Sequence, residues 1–153
     1  MPRVLMVCLG NICRSPAAEA VLRSTLEQEG LADGVHVDSA GTIGYHAGDP
    51  ADARMRAAGS ARGYALTSIA RRVTDEDFHD FDLIIAMDRA NLRDLQARAD
   101  GPAEIVMLGE FVPGEGVPEV PDPYYGGDDG FERVLDLIES AMPALVAKLQ
   151  EMA

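Results

Sequence analysis

Along the chain, short apolar runs alternate with stretches in which apolar residues recur every three or four positions. "RVLMVCL" (3–9) is a short apolar run of the kind required by a strand buried on both faces. "SPAAEAVLRSTLEQEG" then predicts a helix: Ser15 as cap, Pro16 at the first helical position, and Gly30 as terminator. Its apolar surface comes from Ala17, Ala18, Ala20, Val21, Leu22 and Leu26. Residues 35–42, "VHVDSAGT", predict a second strand, and 50–63 a helix closed by Gly63. "FDLIIAM" (81–87) is the clearest central strand, with Asp88 as cap of the helical "RANLRDLQARA". "EIVMLGEF" (104–111) predicts a fourth strand. The segment 112–130 is rich in Pro and Gly and must be loop. The rest, from Phe131, is apolar at helical spacing, and Pro143 should kink or divide it.

Strands alternating with helices place the chain in the α/β class, with a parallel sheet covered on both faces. Ligands in such folds sit beyond the carboxyl ends of the strands, which is where the turn after the first strand falls.

Composition narrows the functional classes. With 153 residues, 47% of them hydrophobic, residues 1–153 fit one domain with a full core. A net charge of -13 repels nucleic acid and anionic membrane over most of the surface, so any anion site must be a local device. Arginines cluster at Arg54, Arg56 and Arg62, and again at Arg71 and Arg72. The start runs directly into strand-like sequence without a leader pattern, and no apolar run approaches the roughly 18 residues of a membrane span. Only Cys8 and Cys13 are present, in one turn, so they build no distributed disulfide framework. These features predict a soluble cytoplasmic protein.

The chemistry concentrates in "VCLGNICRSP". A loop of this length curling into a helix N-terminus points successive backbone N–H groups at one spot, and the helix dipole adds positive potential. Gly10 relieves the turn, and Asn11 is among the few non-glycine residues that tolerate left-handed backbone. Arg14 adds a planar fork matched to two phosphoryl oxygens. A thiol at the centre, Cys8, is favoured as thiolate, with the Ser15 hydroxyl as a further donor, and needs no separate base to attack phosphorus. A zinc clip lacks ligands: His36, His46 and His79 stand in no ligand-like spacing. No "GK[ST]" follows, so this is not a nucleotide-binding glycine loop. A lone buried cysteine after a strand is ordinarily inert, but Asn11, Arg14 and the Ser-Pro helix start argue for a nucleophile.

Expelling a phenol from phosphorus requires a proton donor. Asp122, between Pro121 and Pro123, is the best-placed candidate, although an Asp-Pro pair also suits plain turn chemistry. Tyr124 and Tyr125 follow it, in a chain with only 5% aromatics, and suit the wall of a slot for a flat ring.

"VCLGNICRSP", "VDSAGT", "ARRVTDEDFHDFDLIIAMDRANLRDL" and "DPYYGG", in this order, resemble the low-molecular-weight protein tyrosine phosphatases along nearly the whole chain. The resemblance implies a single domain with a four-stranded parallel sheet and helices on both faces, a Rossmann-like three-layer sandwich. It implies a phosphocysteine route with no metal or other cofactor, acting on phosphotyrosine-containing proteins. It makes Cys8 the nucleophile, Arg14 the phosphate clamp and Asp122 the general acid. Substrate contacts fall to Leu9, Gly10, Asn11, Ile12, Cys13, Ser15, Tyr45, Tyr124 and Tyr125, with Tyr45 where relatives commonly have Trp. Asn11, Ser15 and Ser39 match the family's loop-bracing network; Ser68 stands where relatives often have a histidine, which predicts a looser brace. Cys13 is a candidate redox guard, joined to Cys8 by peroxide and released by a thiol reductant.

Three other readings use the same loop. Thioredoxin-coupled arsenate reductases need further cysteines, and none follows Cys13. Protein-arginine phosphatases carry threonine at the position of Ile12, and a branched apolar residue suits an aromatic substrate better. A non-catalytic phosphoprotein-binding module would not need Cys8, Arg14 and Asp122 together.

Overall fold

The computed structural model describes residues 1–124 and 126–153. Four strands, β1 (Arg3–Cys8), β2 (His36–Gly41), β3 (Leu83–Ala86) and β4 (Glu104–Met107), form one parallel sheet in the order β2-β1-β3-β4. The chain leaves β1 for β2 on one side and later returns to β3 on the other. The carboxyl end of β1 is therefore the switch point at which α/β folds open a crevice.

Both faces of the sheet are covered, which explains why the strand sequences are continuously apolar rather than alternating. Val4, Met6, Leu83 and Ile85 pack in one cluster with α1 (Arg14–Gln28), α2 (Ala53–Ala61) and α5 (Asp128–Met152). Leu5, Val7, Ile84 and Ala86 point the other way. They meet Phe78 of the short α3 (Asp77–Asp80), Phe81, and Leu95 of α4 (Arg89–Arg98). Asp88 caps α4, its carboxylate accepting the Asn91 N–H at 2.8 Å, as the sequence predicts.

Besides shifts at other element ends, among them α5 starting at Asp128 inside the predicted loop, and the unpredicted α3, the structure departs from the predicted elements in three places. Helix α1 begins at Arg14, with Cys13 rather than Ser15 at the cap position. Pro16 is tolerated there because the first-turn N–H groups have no intrahelical acceptor to lose, and the Ser15 hydroxyl is free for other work. The strand predicted over 104–111 ends at Met107, where the chain tightens into a 3-10 turn, Leu108–Phe111. Gly109 allows the loop to fold back on this turn: a Cβ there would stand 1.8 Å from the Pro118 carbonyl oxygen. The Glu110 carboxylate accepts the Met107 N–H at 2.7 Å and closes it. Finally, Pro143 does not divide the last helix, which runs unbroken from Asp128 to Met152. The residue is exposed on the helix surface, while the buried stripe from Phe131 to Leu149 holds the helix down.

Candidate active site

The turn between β1 and α1 is pinned from beneath. A parallel continuation of β2 carries it: Thr42 N–H donates to the Cys8 carbonyl at 2.9 Å and Ile43 N–H to that of Leu9 at 3.1 Å. This approach requires glycine at the end of β2, because a Cβ on Gly41 would stand 2.7 Å from the Leu9 carbonyl oxygen. Asn11 has φ 58°, alone among the described non-glycine residues in the left-handed region. Its amide holds that conformation in place. Oδ1 accepts the Arg71 N–H at 3.0 Å, and Nδ2 donates to Ser15 Oγ at 2.8 Å and Ser39 Oγ at 3.0 Å. Arg71 is in turn anchored by Asp77 at 2.9 Å and Asp38 at 3.1 Å, which secures the amide that Asn11 uses.

This network biases the polarity of the hydroxyls. Ser15 Oγ accepts from Asn11, so its own hydrogen is available for Cys8 Sγ at 3.0 Å, a closer partner than the Ala40 carbonyl at 3.4 Å. The Asn11 N–H also points at Cys8 Sγ, at 3.3 Å. Ser39 Oγ donates onward to Glu19 Oε1 at 2.5 Å. Glu19 is almost wholly buried beside Arg23, at 2.8 Å; burial raises its pKa against the opposing pull of Ser39 and Arg23.

Arg14 opens α1 and is only 3% exposed. Its Nη1 donates to Asp88 Oδ2 at 2.6 Å and to the Val120 carbonyl at 3.2 Å, and its Nη2 stands 3.8 Å from Asp122 Oδ2. Burial works against its charge, but Cys8, Asp88 and Asp122 outweigh it and keep the guanidinium protonated. The long loop that carries Asp122 is strapped to the end of β3. Val120 N–H donates to the Met87 carbonyl at 2.9 Å, and Glu119 accepts the Arg89 N–H at 2.7 Å. Asp122 Oδ1 accepts the Tyr124 N–H at 3.0 Å, so the turn chemistry of the Asp-Pro pair and a position facing Arg14 coexist.

These elements enclose a cleft of about 360 Å³. Cys8, Leu9, Gly10, Ile12, Cys13, Arg14, Tyr45, Asp122 and Tyr124 line it, together with Ile43 and His46. Tyr45 stands at the mouth, 84% exposed, with its ring edge-on to His46 at 4.8 Å; His46 faces Tyr124 at 6.2 Å. Asn11 and Ser15, predicted both to bind substrate and to brace the loop, lie beneath it and do not line the cleft; nor does Ser39. The prediction for Tyr125 falls outside the described residues. Cys13 is buried, and burial, with Asp52, Cys8 and Asp122 nearby, pushes its pKa up to about 12.

Several participants are absent from the sequence prediction. Asp88 was legible as a helix cap, but its ion pair with Arg14 crosses 74 positions of sequence. Glu19 carries a faint signal, a charge on an alanine-rich face four residues before Arg23. His46 adjoins the predicted Tyr45. Asp52 and Arg54, at the start of α2, tie both loops together: Asp52 N–H donates to the Ile12 carbonyl at 2.8 Å, and Arg54 Nη2 to that of Tyr124 at 3.1 Å.

Known proteins share this architecture. The family model described as low molecular weight phosphotyrosine protein phosphatase matches residues 3–153. A low molecular weight protein-tyrosine-phosphatase of Streptomyces coelicolor is 44% identical over 154 residues, covering 97% of this chain and 94% of its own. The crystal structure of a protein tyrosine phosphatase from Entamoeba histolytica, with Hepes in its active site, superposes with a TM-score of 0.94. It is 46% identical, with 99% of this chain and 98% of that one covered. A Drosophila arginine phosphatase also superposes, with a TM-score of 0.90 and 32% identity over 95% of this chain and 96% of its own. The matched span, the identities and the shared fold agree: the chain belongs to the low molecular weight phosphotyrosine protein phosphatase family.

Proposed function

We propose that the protein hydrolyses phosphotyrosine in proteins through a phosphocysteine intermediate. The observation that carries this reading is the convergence of Cys8 Sγ, the Arg14 guanidinium and the Asp122 carboxylate on one cleft with aromatic walls. In the first step Cys8 sulfur bonds to phosphorus as the P–O bond to the tyrosyl ring breaks, and Asp122 passes its proton to the departing phenol oxygen. In the second, water attacks phosphorus, the S–P bond breaks, and Asp122 takes the water's proton. Arg14 and the loop amides hold the equatorial oxygens throughout. Ser15 lies 3.0 Å from the sulfur and, by donating its hydrogen, supports it both as nucleophile and as leaving group.

Ile12 and the rings of Tyr45, His46 and Tyr124 present apolar and aromatic surface to the cleft, which favours an aryl over a guanidino phosphate. Two cysteines free of disulfide are in keeping with a reducing cytoplasm. We further propose Cys13 as a guard: peroxide converts the Cys8 thiolate to a sulfenic acid, Cys13 displaces water to form the disulfide, and a thiol reductant restores both.

Kinetics on phosphotyrosine and phosphoarginine peptides test the assignment. Turnover of the first, abolished in Cys8→Ser with phosphate binding retained, is the expected result. Full activity of Cys8→Ser would refute the chemistry, and preference for phosphoarginine would refute the substrate class.

A further inference from the structure

We propose that Arg54 is a positioning residue for the acid step, holding the Asp122 loop at a fixed distance from the phosphate loop. The proposal rests on the reading of Asp122 as general acid. Arg54 reads both loops through one side chain. On one side its guanidinium forks onto the Asp52 carboxylate, with Nε 3.2 Å from Oδ1 and Nη2 3.1 Å from Oδ2. Asp52 is itself fixed to the phosphate loop, because its N–H donates to the Ile12 carbonyl at 2.8 Å. On the other side Arg54 Nη2 donates to the Tyr124 carbonyl at 3.1 Å, and the guanidinium lies over the Tyr124 ring at 5.5 Å and the Phe131 ring at 4.8 Å.

Tyr124 passes this constraint to the acid. Its N–H is the donor to Asp122 Oδ1 at 3.0 Å, and the other carboxylate oxygen faces Arg14 at 3.8 Å. The Tyr124 backbone between Arg54 and Asp122 is therefore held on both sides: its carbonyl by a guanidinium rooted on the phosphate loop, its N–H by the carboxylate that must reach the leaving oxygen. Asp122 is more than a third exposed and sits on a Pro- and Gly-rich loop, so its own contacts do little to restrain it. A planar fork satisfies Asp52 and Tyr124 together; a shorter or neutral side chain keeps at most one of them.

The acid step matters in proportion to the basicity of the leaving group, so the test is a comparison of leaving groups. kcat/KM is measured on phenyl phosphate, which needs a proton, and on 2,4-dinitrophenyl phosphate, whose leaving group departs without one. The enzymes compared are wild type, Asp122→Asn, Arg54→Ala and Arg54→Gln, the last keeping part of the aliphatic stem and a neutral donor. Asp122→Asn should lose roughly 100-fold on phenyl phosphate and little on the dinitrophenyl ester. The Arg54 variants should lose about tenfold on the first and less than about threefold on the second. A fraction of misfolded enzyme lowers both rates equally and leaves their ratio untouched, so a purely structural role is separable. Equal losses on both esters in the Arg54 variants, with Asp122→Asn still selective, would overturn the proposal for Arg54 alone. Equal losses in Asp122→Asn would overturn the acid assignment beneath it.

Discussion

Asp88 serves two elements with its two oxygens: Oδ1 accepts the Asn91 N–H at 2.8 Å and caps α4, while Oδ2 meets Arg14 Nη1 at 2.6 Å. A helix terminus thereby orients a guanidinium that only 3% of its surface exposes to water. Asp88→Asn keeps the cap, since asparagine caps as well as aspartate, and removes the charge together with the acceptor that faces Arg14. Arg14 is then free to leave the plane in which it meets the equatorial oxygens, a requirement sharper in the transition state than in the bound ground state. The expected outcome is a loss of about tenfold in kcat, with inhibition by inorganic phosphate changed by less than about threefold. Thermal unfolding should show a stability loss of about 2 kcal/mol, below the full cost of breaking a buried pair because Asp88 is partly exposed. Weaker inhibition by phosphate with kcat unchanged would show that Asp88 acts on binding alone.

Glu19 gives the fold a pH dependence. Its pKa in the folded state is raised above the ordinary 4.5, chiefly by burial, so the fold holds this proton more tightly than the unfolded chain does. The resulting stabilisation is complete below the unfolded value and is lost as pH rises through the folded one. Glu19→Gln mimics the protonated state and keeps an acceptor for Ser39. It should melt at a higher temperature than wild type at neutral pH, with the gap closing as pH falls toward the ordinary carboxylate range. The ion pair with Arg23 subtracts little, since Arg23 is 48% exposed. A variant less stable than wild type at neutral pH, and equally so in acid, would mean that the Arg23 pair outweighs the burial of charge.

The difference between what was legible in the sequence and what was not follows contact distance. Cys8, Asn11, Arg14 and Ser15 lie within eight consecutive positions, and the strand before them and helix after them fix where the turn must sit. The left-handed backbone at Asn11 followed from residue type alone. Asp122 was recognisable as a candidate because the resemblance and its Pro-flanked loop agree. The remaining relationships cross the fold: Arg71 N–H to Asn11, Asp88 to Arg14, Arg54 to Tyr124. Each partner has a sufficient local reading, as turn, cap or exposed arginine, and nothing in its neighbourhood signals the second role. Ser68 shows the converse. The missing histidine was legible as a change in the brace, while one of Asn11's three side-chain hydrogen bonds goes to a backbone amide, which side-chain identity does not reveal.

The two cysteines should differ sharply toward alkylating agents. Cys13 is buried and its pKa is pushed up to about 12 from the ordinary 9.0, so it remains a thiol across the neutral and mildly alkaline range. Iodoacetate should modify one thiol, mapped by peptide mass analysis to Cys8, and inorganic phosphate should protect it. Iodoacetate should alkylate Cys13 only after denaturation. Alkylation of Cys13 in the folded enzyme at a rate like that of Cys8 would contradict this ordering.

The central claim is that phosphorus passes through a covalent bond to Cys8. Rapid mixing of the enzyme with an excess of 2,4-dinitrophenyl phosphate, acid quenching and intact-protein mass analysis tests it most directly. Asp122→Asn is the enzyme to use, because it slows hydrolysis of the intermediate more than its formation from this ester. The account predicts a species heavier by one phosphoryl group, located on Cys8 by fragmentation and absent from Cys8→Ser. Turnover without any such adduct, or an adduct on another residue, would contradict it.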